Sequence, residues 1–257
     1  MIVGVFQFHG SGDIQKNHEI ITAAIASAAQ KGVRLLVFQE CALCGYPPLE
    51  TGIKDIDFKL LNSKLRHIRA LARRNNMFLA LGTVRRKKSK YYNSIRLIGP
   101  NGALIGNYDK RALWGWDLDN FTSGDTLGIY QIDDIKTGFR ICYEVRFPEY
   151  FRELFRSKVK LCFVSFCDIS EQDAPERYDT IKAHLITRAV ENVMTVISVN
   201  SISKFQTAPT AVFGIDGGIL LEAPKNEDCL LTYDFVVPEN DFGAEGRMRQ
   251  SVKLTGG

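Results

Sequence analysis

Long apolar runs are missing from this sequence. No stretch approaches the roughly 18 consecutive apolar residues that a membrane-spanning helix requires. The opening MIVGVFQFHG carries no basic residues ahead of its apolar ones and is too short for a leader followed by a cleavage site. A cytoplasmic location is therefore expected, without a membrane partner. Histidine is scarce and scattered, at 9, 18, 67 and 184, and Cys41-Ala-Leu-Cys44 has no second C-x-x-C to complete a zinc site. No metal or organic cofactor is expected. The six cysteines (41, 44, 142, 162, 167 and 229) then read as mostly reduced thiols. No linker divides the 257 residues, which suffice for one large α/β domain. That domain is placed at 1–237, and the Gly-rich polar tail at 238–257 runs over the surface or crosses to a partner subunit. Net charge is only +4. The basic run Arg85-Arg86-Lys87-Lys88-Ser89-Lys90 lacks interleaved aromatics and a basic helix face, so it reads as a solvated hairpin tip, and no nucleic-acid partner is expected.

What is present is an alternation of strand and helix patterns. Residues 2–8 read as a strand. Residues 13–31 read as a helix with Ile20, Ile21, Ala24, Ile25 and Ala28 near helical spacing and Gly32 after its end. VRLLVFQE (33–40) is continuously apolar until its last residues, the mark of a strand covered on both faces. After the loop CGYPPLETG come a helix at 57–75, a hairpin flanking the basic tip, and ALIGNYDK. The second half repeats the rhythm: strand 137–143, helix 147–157, strand 159–166, helix 175–192, strand 193–200, a hairpin around Asp216-Gly217-Gly218, and a last strand at 229–237. Such alternation predicts a four-layer α-β-β-α sandwich with pseudo-twofold internal symmetry.

Four segments place rare residue types in loops at strand ends, where sites on open α/β sheets form. Glu40 ends an apolar strand. Burial there would raise its pKa and suit it to proton transfer, the alternative being a carboxylate that leaves the sheet into solvent. Lys110 follows a strand, where an ammonium can donate to a developing oxyanion. Cys142 lies between an apolar strand and a helix start with Pro148 in its first turn, the location of a nucleophile elbow. A thiol beside helix N–H groups and a lysine should ionise readily, and the Tyr143 N–H would face a tetrahedral oxyanion. An inert buried cysteine is the competing reading. Trp114-Gly-Trp116-Asp117-Leu-Asp119 is an acidic, aromatic loop suited to wall a substrate pocket.

FQECALCGYPP, YDKRAL and ICYEVRFPE resemble, in order and spacing, the three characteristic segments of the nitrilase superfamily of carbon–nitrogen hydrolases. ITRAVENVMTVISVN is similar to the family's R-A-x-E-N helix and its following strand, and Asp216-Gly217 to a further element, with Ile215 where a proline is usual. The resemblance implies the nitrilase-like sandwich and a catalytic triad of Glu40, Lys110 and Cys142. It puts Asp117 where many members carry a second, longer glutamate, with Asp119 a less apt stand-in. Tyr143, Glu144, Arg146 and Trp116 are the residues it places around oxyanion and substrate, Arg146 matching an arginine that carbamoyl-amino-acid hydrolases set against a substrate carboxylate. A structural ion pair with Glu149 is the other role open to Arg146. Cys41 and Cys44 read as packing or substrate-channel residues. The implied activity is that of a cysteine amidase of small linear carboxamides, ω-amidase-like, releasing ammonia through a thioester. N-carbamoyl amine or amino-acid hydrolysis is the alternative, and nitrile hydrolysis stands further off. Two readings of other classes are a non-catalytic relative that binds an acyl ligand or partner, and a redox sensor built on Cys41 and Cys44. Family habit also implies a homodimer or higher oligomer with helices 147–157 and 175–192 at the contact.

Overall fold

Side-chain parity along the strands decides the layering of this molecule, a computed structural model that describes residues 1–255. The chain runs β1 (Ile2–Gln7), α1 (Ile14–Gln30), β2 (Leu35–Phe38), α2 (Phe58–Arg74), β3 (Phe78–Lys87), β4 (Lys90–Ile98), β5 (Leu104–Asp109) and the short α3 (Asp117–Asn120). It continues through β6 (Ile129–Ile132), β7 (Ile135–Ile141), α4 (Pro148–Arg156), β8 (Leu161–Phe166), β9 (Ile169–Ser170), α5 (Pro175–Asn192) and β10 (Thr195–Asn200). The remainder is β11 (Phe205–Gln206), β12 (Ala211–Phe213), β13 (Ile219–Glu222), β14 (Cys229–Asp234) and α6 (Phe242–Thr255). Val3, Val5, Leu35 and Val37 face Phe139, Ile141, Leu161, Phe163, Ile197 and Val199 in a core between two sheets. Their strand neighbours point the other way, because successive Cβ atoms alternate. Leu36, Phe38, Leu79 and Leu81 pack with apolar residues of α1 and α2, and Cys162, Val164, Phe166 and Val196 with those of α4 and α5. Three cores thus separate four layers, α-β-β-α, as the alternation predicted.

The pseudo-twofold relation holds strand by strand. One sheet has the order β14-β1-β2-β3-β4-β5, the other β6-β7-β8-β10-β12-β13. In each, three parallel strands are followed by two antiparallel ones and flanked by an antiparallel edge strand. Asp13 and Asp57 start α1 and α2 by accepting from backbone N–H groups of the first turn. The basic run forms the solvent-exposed end of the β3–β4 hairpin.

Several boundaries differ from the sequence reading, each for a local reason. The strand expected at 137–143 stops at Ile141, because Cys142 takes φ +46°, which no strand accommodates. β6, a short edge strand, has too few apolar residues to show a period. The polar tail contains α6, whose Ala244 is fully buried and whose Arg247 donates to the carbonyls of Val190 and Ile215. Its last two residues, 256–257, lie outside the described residues. No described helix is long and apolar enough to cross a membrane.

Phe163 is fully buried in the inter-sheet core and stacks on Phe139 at 5.8 Å between centroids. Phe163→Ala should destabilise the fold by about 3–5 kcal/mol, as large-to-small changes in a packed core do, seen as a lower midpoint in urea with an unchanged slope.

Candidate active site

The C-terminal ends of the central strands of both sheets meet at one point. β2 delivers Glu40, whose backbone N–H donates to the Phe166 carbonyl at the end of β8 (3.3 Å), while Ser165 Oγ donates to the Phe38 carbonyl (2.9 Å). These bonds stitch one sheet to the other. Gly82 on β3 permits the close approach: a Cβ there would lie 1.9 Å from the Gln39 carbonyl oxygen. β5 delivers Lys110, and the turn after it brings back Asp117 at the start of α3.

Glu40, Lys110 and Asp117 form one buried ionic array, with side chains 0–1 % exposed. Lys110 Nζ donates to Glu40 Oε1 at 2.9 Å and to Asp117 Oδ2 at 2.7 Å. Glu40 Oε1 also accepts from Asn93 Nδ2 (2.6 Å), and Oε2 from the Cys167 N–H (2.8 Å). Asp117 accepts from Tyr46 OH (2.7 Å) and the Trp114 N–H (3.1 Å), and Trp116 Nε1 donates to Tyr46 OH (3.3 Å). The shorter acid therefore still reaches the lysine, because it stands at the first position of α3, three residues after Trp114. Asp119 is exposed and takes no part.

Cys142 opens a five-residue 3₁₀ turn, Cys142–Arg146, and sits in the left-handed region. A non-glycine residue held there costs on the order of 1–3 kcal/mol and persists only where the surroundings fix it. Cys142 and Lys110 line one cavity of about 250 Å³ together with Tyr46, Trp116, Tyr143 and Arg146. Trp114 lines it too and meets Trp116 edge to face at 4.9 Å. Arg146 forms no ion pair among the described residues, so the Glu149 pair is not made; its guanidinium lies 6.0 Å from the Tyr143 ring.

Charge in this site follows from burial. Burial pushes the Glu40 carboxyl above its ordinary value, and Lys110 restrains that rise. Burial alone would lower Lys110, but Glu40 and Asp117 hold it well above an ordinary lysine, so it stays an ammonium. The Cys142 thiol is raised well above the ordinary cysteine, first by burial and next by the charge of Glu40, which together outweigh Lys110. The ready ionisation expected from the sequence is thus corrected: the resting group is a thiol, and it needs a base.

One further expectation changes, and another narrows to one of its alternatives. Glu144 does not face the cavity. Its carboxylate accepts from Tyr108 OH (2.8 Å), from the Arg111 N–H (2.6 Å) and from the Ile141 N–H (2.7 Å), and so ties the cysteine turn to the lysine loop. Of the two roles expected for Cys41 and Cys44, packing is the one the structure gives them: both are buried and neither lines the cavity. Cys41 Sγ donates to Asn93 Oδ1 at 3.6 Å, and Cys44 Sγ accepts the Val84 N–H at 3.3 Å. Sequence reasoning missed Asn93, Tyr46 and the Cys167 N–H. It also missed Arg177, which lines the cavity while paired through two bonds (2.8 and 2.9 Å) with Asp168. Only Tyr46, in the Gly-Tyr-Pro-Pro loop, lay within a segment already singled out.

The family profile described as "Carbon-nitrogen hydrolase" matches residues 2–238. Among curated proteins, the 2-oxoglutaramate amidase of Bacillus subtilis is 29% identical over 136 residues, 52% of this chain and 51% of that protein. The (R)-stereoselective amidase of a Pseudomonas species is 25% identical over 84% of this chain and 78% of its own. The first curated relatives, nitrilases of Arabidopsis thaliana included, are matched over only about half of their length. Among solved structures, a cysteine-to-alanine mutant of the amidase from Nesterenkonia sp. AN1 in complex with butyramide superposes with a TM-score of 0.83 at 20% identity, covering 97% of this chain and 93% of that one. A glutamate-to-glutamine mutant of the same amidase shows covalent addition of the acetamide moiety of fluoroacetamide at its active-site cysteine (TM-score 0.82, 22% identity, 91% and 90% coverage).

The electrostatics make a signed prediction. Glu40→Gln removes the negative charge that holds the Cys142 thiol up while leaving Lys110 in place. The pH at which iodoacetamide alkylates Cys142, followed by peptide mass spectrometry, should move downward in that variant. A profile unchanged or moved upward would contradict the charge arrangement described.

Proposed function

The chain belongs to the carbon-nitrogen hydrolase family, and we propose that it is a cysteine-dependent amidase of small linear carboxamides. The observation that carries this reading is a buried ammonium, held between two carboxylates, that opens on the same small cavity as a thiol. Glu40 takes the Cys142 proton as sulfur attacks the amide carbon. Lys110 and the Tyr143 N–H hold the oxyanion, an arrangement that stabilises charge only as it develops. Collapse breaks the C–N bond, Glu40 returns the proton to the departing amine as ammonia, and a thioester remains. A water that gives its proton to Glu40 then releases the acid and restores the thiol. Dividing the hydrolysis replaces one hard step by two easier ones. A Glu40 carboxyl raised toward neutrality suits a group that must both accept and return a proton.

The unpaired Arg146 points to substrates with an anionic far end, the ω-amides of dicarboxylic acids. The 2-oxoglutaramate amidase among the relatives acts on a compound of that kind by its name. The same arginine would serve an N-carbamoyl amino acid, which is the second reading. A cytoplasmic location and a homodimer through α4 and α5 complete the proposal, the latter checked by sedimentation equilibrium.

Ammonia release across small amides, carbamoyl compounds and nitriles tests the assignment. Cys142→Ala should lose at least about four orders of magnitude in kcat, the scale of removing a covalent nucleophile. Retained turnover would refute covalent catalysis, and a wild type inactive on the whole panel would favour a non-catalytic binding role. Arg146→Ala should raise KM for ω-amide acids by about 10–100-fold, the worth of a charge-assisted hydrogen bond, and leave neutral amides unchanged.

The acid limb of kcat/KM should lie above the ordinary glutamate range, because only deprotonated Glu40 can accept the thiol proton. Asn93→Ala removes a hydrogen bond that lowers that pKa, so the limb should move to still higher pH in a rate profile.

A further inference from the structure

Charge in this chain is segregated. Twelve of its 33 lysines and arginines, and none of its 29 aspartates and glutamates, fall between residues 58 and 108. The rest of the chain holds 21 such cations against 29 carboxylates, so a net charge of +4 conceals a basic face on an otherwise acidic protein. The fold concentrates that face further. α2 packs on the face of the sheet that carries the β3–β4 hairpin, and two hollows follow successive turns of the helix. One, of about 330 Å³, is lined by Arg66, Arg69 and Arg73 with the Asn101–Ala103 turn. The other, of about 450 Å³, is lined by Lys59, Arg85, Arg86, Lys88 and Arg96. Of these eight cations, only Arg85 has an ion-pair partner among the described residues, Asp109.

Arg96 is the most telling of them. It is largely buried, its field includes Arg85 of one hollow and Arg69 of the other, and burial lowers its affinity for its proton. Its Nε lies buried with no protein acceptor. A buried guanidinium N–H without a partner forfeits its hydration with nothing in return, and a bound anion would supply the missing acceptor.

We propose that the groove between α2 and the β3–β4 hairpin binds a linear oligophosphate, held through its phosphates alone. Arginine forks suit phosphate oxygens, and cations recur along one helix wall at each turn of about 5.4 Å, so the groove fits an extended chain of charges. Nucleobases find no platform. Phe58 stacks on Tyr91 at 5.7 Å and lies under Arg86, and Tyr92 lies under Arg85. A bilayer finds no anchor, because no large apolar side chain of α2 or the hairpin is exposed.

Titration calorimetry of the full chain with inorganic polyphosphate tests this, with orthophosphate, a single-stranded oligonucleotide and polyglutamate as competitors of matched charge. Polyphosphate should bind most tightly, and its affinity should fall steeply with salt. Arg66→Gln/Arg73→Gln, on the exposed helix face, should bind it at least about tenfold more weakly with an unchanged melting curve. Arg96→Gln should do the same; should that variant fail to fold, the helix double variant alone decides. No measurable binding, wild-type affinity in the double variant, or equal or tighter binding of oligonucleotide or polyglutamate would each overturn the proposal.

Discussion

A single buried ammonium organises this molecule's chemistry. Lys110 Nζ sits between two carboxylates with almost no contact with water. Removing one partner of such an array leaves an uncompensated buried charge, at a cost of about 3–5 kcal/mol. Two carboxylates and one ammonium leave a surplus negative charge, which neutral donors spread: Asn93 and the Cys167 N–H on Glu40, Tyr46 and the Trp114 N–H on Asp117. The same surplus explains why the neighbouring sulfur rests protonated. In the proposed mechanism, the site thus stores its negative charge on the base, not on the nucleophile, and commits the thiol only when an electrophile is at hand.

The pseudo-twofold sandwich accounts for where this array lies. β1, β2 and β3 in one sheet correspond to β7, β8 and β10 in the other. Glu40 ends β2, and its side chain is fixed by the N–H that follows the end of β8. Cys142 follows β7. Non-equivalent strand ends from the two halves thus carry the acid and the thiol, and the junction between the halves is the site itself. Glu144 performs the corresponding service for the backbone, binding the start of the cysteine turn to the loop that holds Lys110.

The layers were legible because central strands such as VRLLVFQE and VKLCFVSF are near-continuous apolar runs, which need cover on both faces. The three principal site residues were legible for a different reason: each interrupts an apolar pattern at a strand end, and their flanking segments carry a family resemblance. Asn93 was not, because strand parity places it on the face of Ile95 and Leu97 but does not tell which carboxylate of another strand it will meet. The raised thiol was not either. Sequence shows a helix start close after Cys142 and a lysine at another strand end, but burial and the opposing Glu40 charge exist only in three dimensions. The basic run looked like an isolated hairpin tip because its counterpart, the arginines of α2, stands some twenty residues earlier. A reading that weighs each segment separately cannot add the two.

The hydrogen bonds on Glu40 bear on traffic through the cavity. A carboxylate offers about four lone pairs. Lys110 and Asn93 take both of those on Oε1, and the Cys167 N–H takes one on Oε2. One remains. In the mechanism proposed above, every proton that Glu40 handles arrives and leaves by that single berth, so the departing amine and the incoming water share it in turn. The water cannot be readied while the amine is still docked, which makes the order of events a matter of occupancy rather than of rate.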